Sequence, residues 1–415
     1  MPQIYVMKFI DYPISSEIKE RLASLGWARP TDIQFKAIKP ILDGEDVLAI
    51  AQTGTGKTAS FVIPTVHQIS RSNSKYKQKA VKCLVMVPTR ELAEQVADVY
   101  RDIAKGSNVS VMALLGGVEQ DGQINQLNNG VDVVIATPGR LFDLCSQGHL
   151  RLDKIRTLIL DEADHMLALG FIKDIRDLMR HIPQKRQTLF FSATIDKDIK
   201  KIAYDLVRNA IRIQISPKNP VAKNISHAVT FVEMDDKRFF LENLIKENPT
   251  DKILVFVRTK VRAERVVKAM ERVQIQAATI HGDVPQNERF QILNRFKKDE
   301  ITVLITTDVA ARGIDVPGVK AVVNYDLPDV PENYVHRVGR TGRGKEKGWA
   351  ISFCSSEEKS LLNEIEEYTG SKIEVYELSK GEYQSILQDS EDGTYDWQSL
   401  MDEAANFTKP KKRKK

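Results

Sequence analysis

The sequence predicts an α/β protein of two tandem domains, each a mostly parallel sheet flanked by helices. Three observations predict it. Short β-branched runs alternate with amphipathic segments through two long stretches, the signature of repeated β-α-β units. A segment rich in proline and asparagine, residues 216–224, separates the two stretches. The length of 415 residues suits two cores of roughly 150–200 residues better than one.

In the first stretch, residues 1–215, strand-like runs fall at 46–50, 83–87, 111–114, 132–136, 157–160 and 188–191. Each is short and almost wholly apolar, as a strand buried on both faces must be. Amphipathic segments at 58–70, 90–104 and 171–181 lie between them. The second stretch, 225–376, repeats the scheme with runs at 228–233, 253–257, 277–280, 303–306, 321–324 and 350–354. Its helical patterns are 237–247, 261–273 and 287–298, and a last helix over 357–368 is closed by Gly370. From 377 to 415 apolar residues thin out and charge blocks follow, which predicts a short disordered tail.

Composition narrows the function classes. An apolar content of 42% with 28% charged residues is ample for two buried sheets. No apolar stretch approaches the ~20 residues that span a bilayer, and 1–9 lacks the order of a signal peptide. Cys83, Cys145 and Cys354 are widely separated with no metal-type spacing, so they read as reduced thiols of a cytoplasmic protein. The net charge of +5 is concentrated at one end: six of the last seven residues are Lys or Arg, which leaves the body close to neutral. Between Asp389 and Glu403 the charges are all acidic.

The segment Ala51-Gln52-Thr53-Gly54-Thr55-Gly56-Lys57-Thr58 joins a strand to a helix. The N–H groups of such a loop ring phosphates, and the helix N-terminus adds positive potential. Lys57 suits the outer phosphates as a point charge, and the Thr58 hydroxyl suits Mg²⁺. The common pattern opens with Gly where this chain has Ala51, but the Gly56-Lys57-Thr58 end is intact. Asp161-Glu162-Ala163-Asp164 follows the run Leu158-Ile159-Leu160. Alone, such a tetrapeptide fits a helix start or a solvated turn. After a buried strand, in a chain with a phosphate loop, it supplies the second half of a nucleotide-hydrolysing site. Asp161 is expected to hold Mg²⁺ through its water shell, and Glu162 to orient and deprotonate the attacking water. Such catalysis is mostly positioning and charge stabilisation. Farther on, Tyr334 to Arg343 carries Arg337, Arg340 and Arg343 after a helix predicted over 331–337. A solvated basic helix end is the simpler reading. Arginines offered to a γ-phosphate from a second domain would be worth about 10³–10⁵ in rate and would tie hydrolysis to domain closure.

Through these motifs the chain resembles the DEAD-box RNA helicases from about Phe9 to Arg343. The resemblance implies two RecA-like domains that use ATP and Mg²⁺. It implies that Phe9 stacks on the adenine, that Gln34 bonds the base edge, and that Thr53, Gly54, Thr55, Gly56, Lys57, Thr58, Gly313 and Asp315 contact the rest of the nucleotide. Arg340 and Arg343 are implied as arginine fingers, with His336 linking to the acidic tetrapeptide. Pro88-Thr89-Arg90, Gly116-Gly117 and Thr137-Pro138-Gly139-Arg140 match the first-domain RNA-backbone motifs. Arg258, Gly282 and Thr307 are implied as their second-domain counterparts. Ser192-Ala193-Thr194 matches the motif that couples hydrolysis to strand separation, with Asp164 reporting closure through Ser192 and His336.

The implied partner is RNA, single-stranded or in short duplexes, gripped by phosphate and 2′-hydroxyl contacts with little sequence preference. The resemblance is nearest to the bacterial RhlE type, given the compact body and short basic tail. A monomer serving ribosomal or RNA-decay assemblies, with no membrane partner, is expected. The basic tail also fits a non-specific RNA tether, a nuclear import signal or a solubilising end. Two rival functions share these motifs: an ATP-gated RNA clamp with little unwinding, and a DNA translocase.

Overall fold

The computed structural model describes residues 7–52, 54–73, 80–195, 197–215, 221, 224–311, 316–342 and 346–390. Thr53, Gly313, Asp315, Arg343, most of the linker and the basic tail, all named above, lie outside the described residues. The chain divides near Pro220 into two compact units.

The first unit holds a seven-stranded, wholly parallel sheet: β1 (Val47–Ile50), β2 (Cys83–Met86), β3 (Val111–Leu114), β4 (Val133–Ala136), β5 (Thr157–Leu160), β6 (Gln187–Ser192) and β7 (Ile211–Gln214). Their order is β3-β4-β2-β5-β6-β1-β7. Helices cover both faces, so β1, β2, β4, β5 and β6 are buried at every residue, which is why they read as continuous apolar runs. The helix Arg90–Ile103 shows how a covering element is specified. Leu92, Val96, Tyr100 and Ile103 recur at helical spacing and are all buried.

The second unit repeats the plan with β8 (Ile225–Phe231), β9 (Ile253–Phe256), β10 (Ala277–Ile280), β11 (Val303–Thr306), β12 (Ala321–Asn324), β13 (Gly348–Cys354) and β14 (Glu374–Val375). Its order, β10-β11-β9-β12-β13-β8-β14, is that of the first sheet strand for strand, again wholly parallel. The expected last helix is present as a short 3₁₀ turn, Ser356–Glu358, and the helix Lys359–Thr369, ended by Gly370 at a left-handed φ of 70°.

Three sequence expectations are corrected. Each sheet has a seventh strand at its edge, β7 and β14, beyond the six read from apolar runs. Strand β8 starts at Ile225, upstream of the expected 228–233 span, because polar His227 finds a partner in the Tyr334 hydroxyl at 2.8 Å. The stretch from 377 is not featureless: Lys380–Asp389 is a helix with a Ser379/Glu382 capping box. Tyr383 anchors it, donating to Asp236 at 2.7 Å and lying 4.8 Å from the Phe240 ring, while Ile386 and Leu387 pack on the second core.

Candidate functional site

Loops at the carboxyl ends of parallel strands are where an α/β sheet presents ligand groups. In the first unit these loops divide into two adjacent sets.

After β1 the chain turns through Gly54 (φ 79°) and Gly56 (φ 91°) into the helix Lys57–Asn73. The capping box of the preceding helix, Asp32–Leu42, reaches this turn. Gln34 Oε1 accepts from the Thr31 N–H at 2.9 Å, and Gln34 Nε2 donates to the Gly56 carbonyl at 3.1 Å. A Cβ at position 56 would stand 2.5 Å from Gln34 Nε2, so glycine is required both by φ and by space. Gln34 therefore holds the phosphate loop itself. Phe9 lies in a 3₁₀ turn, donates its N–H to the Ala28 carbonyl at 3.2 Å, and lines a cavity of about 430 Å³ with Ile10, Trp27 and Ala28.

Lys57, the first residue of that helix, is 6% exposed, and its Nζ has no hydrogen-bond partner among the described residues. Asp161, at the end of β5, is 2% exposed. Burial above all, opposed by Lys57 and reinforced by the neighbouring Glu162 and Asp164, raises its carboxyl to about 6. An ammonium without a hydrogen bond beside an acid that resists ionisation is a site short of ligand charges. Triphosphate oxygens would meet Lys57, and a divalent cation would suit Asp161 and the half-buried Thr58. The residues present fit the nucleotide and the metal that the motifs imply.

Glu162 has left-handed backbone, φ 51° and ψ 50°, a conformation costing a non-glycine residue about 1–3 kcal/mol. Its N–H is tied to Asp161 Oδ1 at 3.0 Å, and its Oε2 lies 3.5 Å from His165 Nδ1. Asp164 Oδ2 accepts from the N–H groups of Ala193 and Thr194, both at 3.1 Å, and from the Thr194 hydroxyl at 3.3 Å. This corrects the expected route through Ser192. The Ser192 hydroxyl is buried with no partner among the described residues, and the link from β5 to β6 runs through Thr194.

The second set of loops follows β3, β4 and β2, which are neighbours in the sheet. Thr89 caps the helix Arg90–Ile103 by accepting from the Leu92 N–H at 3.3 Å, and Pro138 opens the helix Pro138–Ser146 behind Thr137. The Arg90 guanidinium lies on Gly116-Gly117, where a Cβ at Gly117 would come 2.6 Å from Nη1. Arg140 donates to the Val118 carbonyl at 3.0 Å. The chain around Gly139 is open to approach. Every first-domain residue expected at RNA thus follows β2, β3 or β4, while the phosphate loop and the acidic segment follow β1 and β5.

In the second unit, Arg258, Gly282 and Thr307 follow β9, β10 and β11, which occupy the matching places in that sheet. His336 and Arg340 stand at the end of the helix Pro331–Val338, where Arg340 Nε donates to the His336 carbonyl at 3.2 Å. Between them lies Arg337, one of the three arginines that the sequence offers to an anion, and its guanidinium is used inside the second unit instead. It is fully buried and forked onto Asp308 at 2.6 and 2.7 Å, with Nη1 on the Asp326 carbonyl at 2.6 Å. Lys237, the first residue of the helix after β8, belongs to no motif read from the sequence. It occupies the place that Lys57 has after β1.

Residues 31–202 match the family profile described as DEAD/DEAH box helicase, and residues 236–345 match helicase conserved C-terminal domain. The chain is 39% identical to the ATP-dependent RNA helicase RhlB of Shewanella amazonensis, over 89% of this chain and 85% of that protein. It is 38% identical to the ATP-dependent RNA helicase DbpA of Bacillus subtilis, over 90% of this chain and 77% of that protein. Among solved structures it matches S. cerevisiae Dbp5 bound to RNA and ADP BeF3, with a TM-score of 0.80 and 29% identity, covering 91% of this chain and 96% of that one. A phosphate loop, an acidic strand end and paired RNA-type edges, together with these relatives, lead to one conclusion: the chain belongs to the DEAD-box family of ATP-dependent RNA helicases.

Proposed function

We propose that this chain is an RNA-stimulated ATPase that closes its two units over ATP and single-stranded RNA. Closure bends the bound strand, and in doing so it unwinds short duplexes locally or remodels RNA–protein complexes. The observation that carries this reading is the Lys57 ammonium, buried without a hydrogen bond beside buried Asp161. Lys57 binds the outer phosphates. Glu162, aimed by its strained backbone, orients the attacking water and takes its proton. Arg340 and Arg343 approach the γ-phosphate from the second unit, with His336 beside them, so turnover depends on closure. Thr58 and Asp161 would hold Mg²⁺, which would supply charge neutralisation at the phosphates. Asp164 ties the acidic segment after β5 to Thr194 after β6, and so couples the hydrolytic site to the Ser192-Ala193-Thr194 segment.

Support for RNA as the partner comes from the matching placement of the RNA motifs in both units and from the RNA-bound relative. The short basic tail and motif spacing support an RhlE-type generalist acting as a cytoplasmic monomer in ribosomal or RNA-decay assemblies. Tree placement beside RhlB and DbpA sequences, and light scattering, test those points. For the catalytic assignment, Glu162→Gln should keep ATP affinity within about threefold and lower RNA-stimulated turnover by about 10²–10⁴-fold. Substantial RNA-dependent hydrolysis by that variant rules out the role given to Glu162.

A further inference from the structure

Arg258 follows β9 and is gripped by carboxylates from two directions. Its main-chain N–H donates to Asp326 Oδ2 at 2.9 Å. Its Nη2 donates to Glu358 Oε1 at 3.1 Å, and its Nε lies 3.2 Å from Asp329 Oδ1. The two side-chain carboxylates differ in kind. Glu358 is 2% exposed, whereas Asp329 is 65% exposed.

Glu358 is tied down from every side. Its Oε2 accepts from Lys237 Nζ at 2.5 Å and from the N–H and hydroxyl of Ser355 at 3.1 and 3.2 Å. Its Oε1 accepts from the Leu327 N–H at 3.1 Å. Lys237, itself fully buried, also donates to the Tyr325 carbonyl at 2.8 Å, and Asp326 receives Arg262 at 2.6 Å. Three cations, Lys237, Arg258 and Arg262, thus face two buried carboxylates, Glu358 and Asp326, and Glu358 is not free to turn. A carboxylate held this way fixes the plane of the guanidinium it binds, since a guanidinium offers its donors in a rigid fork. The Nε edge that Asp329 occupies is the edge open to an incoming anion. The Asp329 contact is an exposed ion pair, of the sort that is weak and readily exchanged in water.

We infer that Glu358 is a positioning residue that orients Arg258 toward the RNA backbone, and that Asp329 is an exchangeable occupant of the place an RNA phosphate takes on that arginine. The inference rests on Arg258 being an RNA contact, as proposed above. Glu358 lies beyond the matched helicase segment, which ends at residue 345. It does not touch RNA; it acts through Arg258.

The two carboxylates on one arginine should therefore act with opposite sign. The measurement is the concentration of a single-stranded oligoribonucleotide giving half-maximal ATPase, with turnover at saturating RNA and KM for ATP read alongside. Glu358→Gln should raise half-saturation about five- to tenfold, and Asp329→Asn should lower it about two- to threefold, with KM for ATP unmoved by either. In an Arg258→Ala background neither substitution should shift it further. If Glu358→Gln proves poorly folded in a thermal melt, Glu358→Asp replaces it. That variant keeps the charge but draws the oxygens back by one methylene, and it should give a smaller rise of the same sign. Should Arg258→Ala leave half-saturation unchanged, the reading of Arg258 as an RNA contact fails, and this inference with it. A rise for Arg258→Ala with no rise for the Glu358 variant that folds overturns only the positioning role. A rise for Asp329→Asn overturns the exchange.

Discussion

Lys57 and Lys237 stand at the same place in two sheets of the same order, each the first residue of the helix that leaves the sheet's first strand. Both are buried, yet their surroundings are opposite. Lys57 Nζ has no hydrogen bond among the described residues, while Lys237 Nζ has the Glu358 carboxylate and the Tyr325 carbonyl. The loops differ accordingly. Before Lys57 runs a glycine turn that leaves room for a ligand; before Lys237 runs Glu233-Met234-Asp235-Asp236, with no glycine. The comparison teaches that the fold offers a cation at this point in either case. Whether it becomes a binding site or an internal brace depends on whether the chain supplies a hydrogen-bond acceptor itself. A buried ammonium left without one is costly, and a ligand that brings negative oxygens relieves that cost.

The sharpest way to break the comparison is Lys237→Met. Removing one member of a buried ion pair strands the other, a loss of about 3–5 kcal/mol. Glu358 would then keep only the partly exposed Arg258, and Asp326 only Arg262, and the second unit's calorimetric transition should fall accordingly. Nucleotide affinity, to which the first unit contributes the phosphate loop, should change little below that transition. A loss under about 1 kcal/mol would mean that Lys237 is no brace.

The degree to which these contrasts could be read in the sequence follows from where each signal lies. Strands such as β5 and β11 were legible because burial on both faces leaves only apolar residues. Strand β7 was not, since three of its four residues are exposed at the sheet edge, and β14 is only two residues long. The helix Lys380–Asp389 carries Tyr383, Ile386 and Leu387 at helical spacing, but the surrounding charge and polarity hid it. Lys57, Thr58, Asp161 and Glu162 announced themselves because phosphate loops and acidic strand ends are local motifs. The brace around Glu358 joins residues 237, 258, 326 and 358, which no local pattern connects. The Asp164 link to Thr194 rather than Ser192 likewise depends on which side chain the end of β6 turns toward β5.

A smaller effect is expected at the glycine turn. Gly56→Ala places a Cβ at φ 91°, outside the region an L-residue prefers, at a cost of roughly 1–2 kcal/mol. The same Cβ would push Gln34 Nε2 from its 2.5 Å position and break its bond to the Gly56 carbonyl. ATP affinity should fall at least about tenfold with little change in the second unit's melting. Gln34→Ala should reproduce part of that affinity loss without the backbone strain. If Gly56→Ala bound ATP normally, the Gln34 contact would not be shaping the loop.

The smallest stability change belongs to the substitution that matters most for function. Lys57→Met removes an ammonium that has no hydrogen bond, which relieves the fold. It also removes the charge that offsets buried Asp161, which burdens it. The two nearly cancel, so the first unit's ligand-free melting should move by no more than about 1 kcal/mol in either direction. Nucleotide binding should be lost. The same Lys→Met exchange, made at two matching places, would then cost stability without nucleotide affinity in one unit and nucleotide affinity without stability in the other. A destabilisation at Lys57 as large as that at Lys237 would show that Lys57 is paired within the protein after all, and that the first unit's cation is not held in reserve for a ligand.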